Sequence, residues 1–229
     1  MGSFYANIHL HTANRSLIER AWQNYWDERG ERSTAYVSPV YNGWVTLFDW
    51  RCDRNAADIL TDLSQQISRD VECVALAFNV FDSDMAEYRL FNNGDEVDHY
   101  TSNSEYFAAF AQTPGAPPED GVYSGFGPDA KEGYVSEDDL SDGGNTALLK
   151  SLTHTAAPDI ELDAILRTPA RIADDILTAL ASVIGINDTW ASVGYHYLVA
   201  EGDTIPGIDA FHHLPPNTPP NREHVEERE

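Results

Sequence analysis

Apolar and polar residues alternate from the start of the chain. Phe4, Ala6, Ile8 and Leu10 fall on one side of an extended segment, and Tyr5, Asn7, His9 and His11 on the other. Residues 4–11 therefore read as a first strand. The period then changes. Leu17, Ile18, Ala21, Trp22, Tyr25 and Trp26 recur at helical spacing, Ser16-Leu-Ile-Glu19 has capping-box spacing, and Gly30 can end the helix. Residues 35–41 and 44–50 flank Asn42-Gly43, a pair suited to the positive φ of a tight hairpin turn. Pro39 gives the first arm an edge position or a bulge. Ile59, Leu60, Leu63 and Ile67 then mark a second helix over about 56–69.

Cys73 to Phe81 is a nearly continuous apolar run, the pattern of a central strand. Asp82-Ser83-Asp84 turns the chain into Tyr88-Arg-Leu-Phe91, and Asn92-Asn-Gly-Asp95 turns it into Val97-Asp-His-Tyr100. Residues 1–111 thus predict an α+β domain with a mainly antiparallel sheet of β-α-β-β-α-β-β-β order. That order fits a ferredoxin-like sandwich extended by a meander, with two helices over one face.

Residues 112–145 read as an acidic, Gly/Pro-rich loop insertion. From 146 to 200 the pattern is helical. Leu148, Leu149 and Leu152 mark one stretch, Ile160, Leu162, Ile165 and Leu166 the next. Thr168-Pro169 opens a third, with Ile172, Ile176, Leu177, Leu180, Val183 and Ile184 as its stripe. Trp190 to Val199 reads as a late strand. These stripes are too short to bury one another, so the segment is expected to pack on the first domain. Residues 215–229 read as a disordered tail.

Charge changes the picture most. There are 38 acidic residues against 14 basic ones, giving a net −24, and only Lys131 and Lys150 are lysines. No basic patch exists to meet phosphates, which excludes nucleic acid and anionic membrane as partners. Salt adaptation of the host is the first explanation of the acidity. A dedicated site for a basic protein partner is the second. No apolar run approaches the roughly 20 residues that span a bilayer. Met1 to His11 lacks a basic region followed by an apolar one. Cys52 and Cys73 read as free thiols rather than a disulfide framework, so a cytoplasmic location is expected.

Gly43-Trp44-Val45, the strand ending in Asp82-Ser83-Asp84, the Leu90-Phe91 strand with its Asn-Gly turn, and Val97-Asp98-His99-Tyr100 leading to Tyr106-Phe107 go together. On these residues the stretch from Trp44 through Phe107 resembles a group of uncharacterised bacterial proteins with no known activity. The resemblance implies a bacterial origin and carries over neither site nor substrate.

Candidate chemistry is sparse. His9 and His11 are two apart on a strand, so their side chains share a face and could share a divalent metal such as zinc or manganese. Asp82, Asp84 and His99 could complete the set. The competing reading places the histidines in solvent and leaves the aspartates to make a turn. Ser83 and Ser124 lack the Gly-x-Ser-x-Gly elbow that exposes a nucleophile. His212-His213 could bind metal, but paired histidines in a mobile, polar segment usually stay in solvent without a ligand, and the same caution applies to His154 and His196. Trp22, Tyr25, Trp26, Trp44, Phe48 and Trp50 read mostly as core, with part of the set available for a binding face opposite the helices.

The sequence therefore predicts a non-enzymatic interaction or regulatory module of the immunity or inhibitor type, without cofactor. Glu119, Asp120, Glu137, Asp138 and Asp139 would meet a basic partner. The alternative is a metal-dependent hydrolase using His9, His11, Asp82, Asp84 and His99 at the sheet end.

Overall fold

The computed structural model describes residues 3–54, 57–102, 142–153, 159–167 and 173–217. Its first part runs β1 (Tyr5–His11), α1 (Arg15–Arg29), β2 (Ala35–Val37), β3 (Trp44–Asp49), a 3-10 turn (Cys52–Arg54), α2 (Ala57–Val71), β4 (Val74–Phe81), β5 (Met85–Asn92) and β6 (Asp95–Thr101). The second part runs β7 (Asp142–Gly143), α3 (Thr146–Lys150), α4 (Asp159–Arg167), α5 (Ala173–Ile184), α6 (Asp188–Ala191), α7 (Tyr195–Glu201) and β8 (His212–Leu214). Among the described residues the strands form one antiparallel sheet in the order β7-β6-β5-β4-β1-β3-β2-β8.

The two alternating faces of β1 decide the layering. Ala6, Ile8 and Leu10 join Val45, Leu47 and Ala75 under α1 and α2, which contribute Ile18, Trp22, Trp26, Leu60, Leu63 and Ile67. The other face is not open, as the sequence suggested. Leu76, Phe78, Val80, Tyr88 and Leu90 pack against Leu162, Leu166, Leu177, Leu180 and Ile184 of α4 and α5. Phe48 packs with Trp190, Tyr195 and Leu198. The sheet thus lies between two helical layers. The aromatic binding face is corrected accordingly: Trp22, Tyr25, Trp26, Trp44 and Phe48 are buried, and Trp50 is half-buried. Each large aromatic side chain removed from water contributes on the order of 3 kcal/mol, so exposure would waste this driving force.

Local chemistry fixes the turns. Asn42 and Gly43 both have positive φ, at 50° and 85°, and Tyr41 and Trp44 exchange two 2.8 Å backbone hydrogen bonds around them. Before Pro39, the Ser38 hydroxyl accepts from the Thr46 N–H at 2.8 Å, so a side chain replaces a ladder acceptor where β2 stops. Helix α1 begins two residues before the capping box expected at Ser16. Asn14 is the cap, its side chain accepting from Leu17 N–H, and Glu19 instead pairs with Arg15.

Two corrections concern the C-terminal part. Residues 190–199 do not form a strand. They end α6 and build α7, because Asp53, far back in the chain, takes the His196 N–H at 2.8 Å and caps the new helix. Gly194 allows this approach: a Cβ there would lie 1.9 Å from Asp53 Oδ1. His212 and His213 do not lie in a mobile segment. They belong to β8, which pairs with β2 through Tyr36↔His213 and buries Leu214 in the α1/α2 core. Within the expected insertion 112–145, Asp142–Gly143 is β7 and Asn145 caps α3; its earlier residues lie outside the described set, as does the expected tail from 218 onward. No helix among the described residues is long and apolar enough to cross a membrane.

Candidate functional site

The register takes the expected metal set apart. His9 is fully buried on the α5 face of β1, its Nδ1 3.0 Å from Thr46 Oγ1 and its ring edge-on to Phe78. Burial pushes its pKa down to about 3, so the ring is neutral. His11 lies opposite Val74, at the start of β4, whereas Asp82 and Asp84 follow Phe81 at its end. That strand is roughly 25 Å long at the rise of an extended chain. His99 pairs with Arg89, which pairs with Ala77, which pairs with Ile8. It therefore stands on the α1/α2 face, the opposite side of the sheet from His9 and His11. Among the described residues no group of three or more His, Cys, Asp or Glu is placed to hold a metal.

Other expected groups have structural partners. The Ser83 hydroxyl donates to Asp174 and accepts from the Ser3 N–H. His212 meets Glu19 at 2.7 Å and His213 meets Thr34 at 3.0 Å. Glu119, Asp120, Glu137, Asp138, Asp139, Ser124 and His154 lie outside the described residues.

Three buried carboxylates that the sequence reading passed over organise the strands and helices around them. Asp49, at the end of β3, accepts from Trp22 Nε1 at 2.7 Å, Trp26 Nε1 at 3.1 Å and Ser33 Oγ at 2.8 Å. Its second oxygen accepts from the Arg51 and Cys52 N–H groups at 2.8 and 3.1 Å. Burial holds the carboxyl above its ordinary value, an effect that the Trp22, Ser33, Cys52 and Arg51 donors offset only in part. Buried indoles need an acceptor, so Trp22 and Trp26, one helical turn apart, were the readable signal. Asp53 accepts from Ala6 N–H at 3.0 Å and from both the N–H and Nδ1 of His196.

Glu87 is the third. It accepts from Arg89 Nε at 2.9 Å and faces His99 Nε2 at 3.1 Å. Burial raises its pKa, but the His99 and Arg89 contacts outweigh this and hold the carboxyl below its ordinary value. Arg89 also reaches Glu96 at 3.3 Å. The alternation Glu87-Tyr88-Arg89 puts both charges on the α1/α2 face of an otherwise apolar strand.

Arg89 is among the residues that line a cleft of about 480 Å³, with others from the end of α1 and the first turns of α2. Asp58, Ile59 and Asp62 also line it, and the buried Tyr25 and Trp26 rings lie beneath Arg29 and Arg51. Arg29 lies 3.6 Å above the Tyr25 ring and bonds Asp62 at 2.7 Å. Arg51 stacks on Trp26 and pairs with Glu31. Aromatic stacking and one carboxylate per guanidinium preset these groups without using all their donors. Compared with protein-family models, with curated proteins and with solved structures, the chain matches none.

Proposed function

We propose that this chain is a non-enzymatic interaction module of the immunity or inhibitor type, acting in the cytoplasm on a basic protein partner. The observation that carries the reading is the distribution of its carboxylates. Among the described residues only Asp49, Asp53 and Glu87 are buried acids, and each is taken up by internal donors. The other carboxylates of the described residues are therefore at least partly in contact with water, where they can steer a positively charged partner. The four central strands, in the order β4-β1-β3-β2 with helices after β1 and β3, support placing the core in the ferredoxin-like class. The resemblance of the stretch from Trp44 through Phe107 adds a bacterial origin. Affinity capture from host extract tests the function, with an unrelated acidic protein of equal net charge as control. The reading expects one basic protein retained in stoichiometric amount by this chain alone. Equal recovery on the control contradicts it.

A further inference from the structure

We propose that the outer face of α7 is where a basic protein partner docks, an inference that rests on the functional reading above and gives it a place on the fold. Tyr195 and Leu198, three positions apart, turn inward and pack with Phe48 of the sheet. The face left to solvent is apolar in its middle. Val199, at 59%, is the most exposed large apolar side chain among the described residues, and Tyr197 on the same helix is 44% exposed. Tyr41, also exposed, lies on this side of the sheet, its ring 5.8 Å from that of Trp190 in α6. Two large apolar side chains on the outside of a seven-residue helix contribute nothing to the core, and covering them would remove apolar surface from water.

Charge selects the occupant. From Ala173 to Asn217 the chain has no lysine or arginine. Asp188, Glu201, Asp203 and Asp209 in this stretch are exposed and make no ion pair among the described residues. Glu201 ends α7 and Asp203 follows it, where the helix already carries its partial negative charge, so neither stabilises the helix. The α1/α2 side is different: there Glu19, Glu31 and Asp62 are paired with Arg15, Arg51 and Arg29. One side of the molecule is thus charge-balanced and the other is not. Carboxylates without an internal counter-charge, beside exposed apolar side chains, complement a partner segment in which arginine or lysine flanks an apolar residue. The same carboxylates repel an anionic partner.

The test titrates two capped peptides, Arg-Leu-Arg-Leu-Arg and Arg-Gly-Arg-Gly-Arg, into the full chain at low salt and follows ¹H–¹⁵N spectra. Saturable shifts centred on residues 195–204 are expected, with the leucine peptide binding about tenfold tighter than the glycine one. Glu201→Gln combined with Asp203→Asn weakens both peptides. Val199→Ser abolishes the advantage of the leucine peptide and leaves the glycine peptide unchanged. All three positions are exposed, so the variants keep the fold. Shifts centred on α1 and α2 or spread evenly over both sides, equal binding of the two peptides, or unchanged affinity in the double variant overturns the proposal. These outcomes need no natural partner, so they stand apart from the capture experiment. There, loss of retention by the unaltered chain counts against the functional reading, whereas full retention by the double variant counts against this face.

Discussion

The Asp53 carboxylate holds both the backbone N–H and the Nδ1 of His196, 143 positions later in the chain, at 2.8 and 2.7 Å. One buried side chain thereby fixes the start of α7 to the start of β1, whose Ala6 N–H it also accepts. Gly194→Ala drives a methyl group into this carboxylate. Chemical denaturation is expected to show a loss of about 2 kcal/mol or more, since the buried carboxylate must give up bonds. His196→Ala removes a ring that is 55% exposed and is expected to cost under about 1 kcal/mol. Equal losses in the two variants would mean that the backbone cap is not what matters.

Asp49→Ala orphans two indole N–H groups, a hydroxyl and two backbone N–H groups together. The expected loss exceeds about 3 kcal/mol. Near-ultraviolet circular dichroism should lose tryptophan signal in step, because Trp22 and Trp26 are both oriented by this acceptor. A variant with wild-type stability and spectrum would remove Asp49 from the account of the core.

His9 sets a pH dependence. Its pKa falls from 6.5 to about 3 on folding. The unfolded chain therefore binds one more proton between these values, and stability drops as pH falls. The contribution is intact above pH 6.5 and is lost progressively down to about 3. His9→Gln should flatten the stability profile in this window by up to about 1.4 kcal/mol per pH unit. An unchanged slope would show that the imidazole is not held neutral.

With 38 acidic and 14 basic residues, self-repulsion opposes the compact state. Raising monovalent salt from about 0.1 M to about 1 M shortens the screening length from roughly 10 to 3 Å. Thermal unfolding is expected to shift upward across that range. A midpoint independent of salt would argue that the surface carboxylates are already balanced by local pairing.

What the sequence disclosed followed from local periodicity. Alternation at residues 4–11, the Asn42-Gly43 turn and the apolar run at Cys73–Phe81 all report strands and their faces directly. The helix at Tyr195–Glu201 did not, because its cap comes from Asp53 rather than from a neighbour. Nor did β8, whose three residues gain strand geometry only by pairing with β2. Burial of His9 depended on a helical layer contributed from the far end of the chain. The cleft was invisible for the same reason: Tyr25, Asp58 and Arg89 come from three elements. One local trace existed, the Glu87-x-Arg89 pair on the inner face of an apolar strand, where a charge needs a purpose or a partner.

The most direct measurement is a calorimetric titration of the purified basic partner into this chain over a series of salt concentrations. A one-to-one isotherm whose affinity weakens steadily as salt rises is the predicted outcome. Heat indistinguishable from that given by an equally acidic but unrelated protein would contradict the proposal that this fold exists to bind.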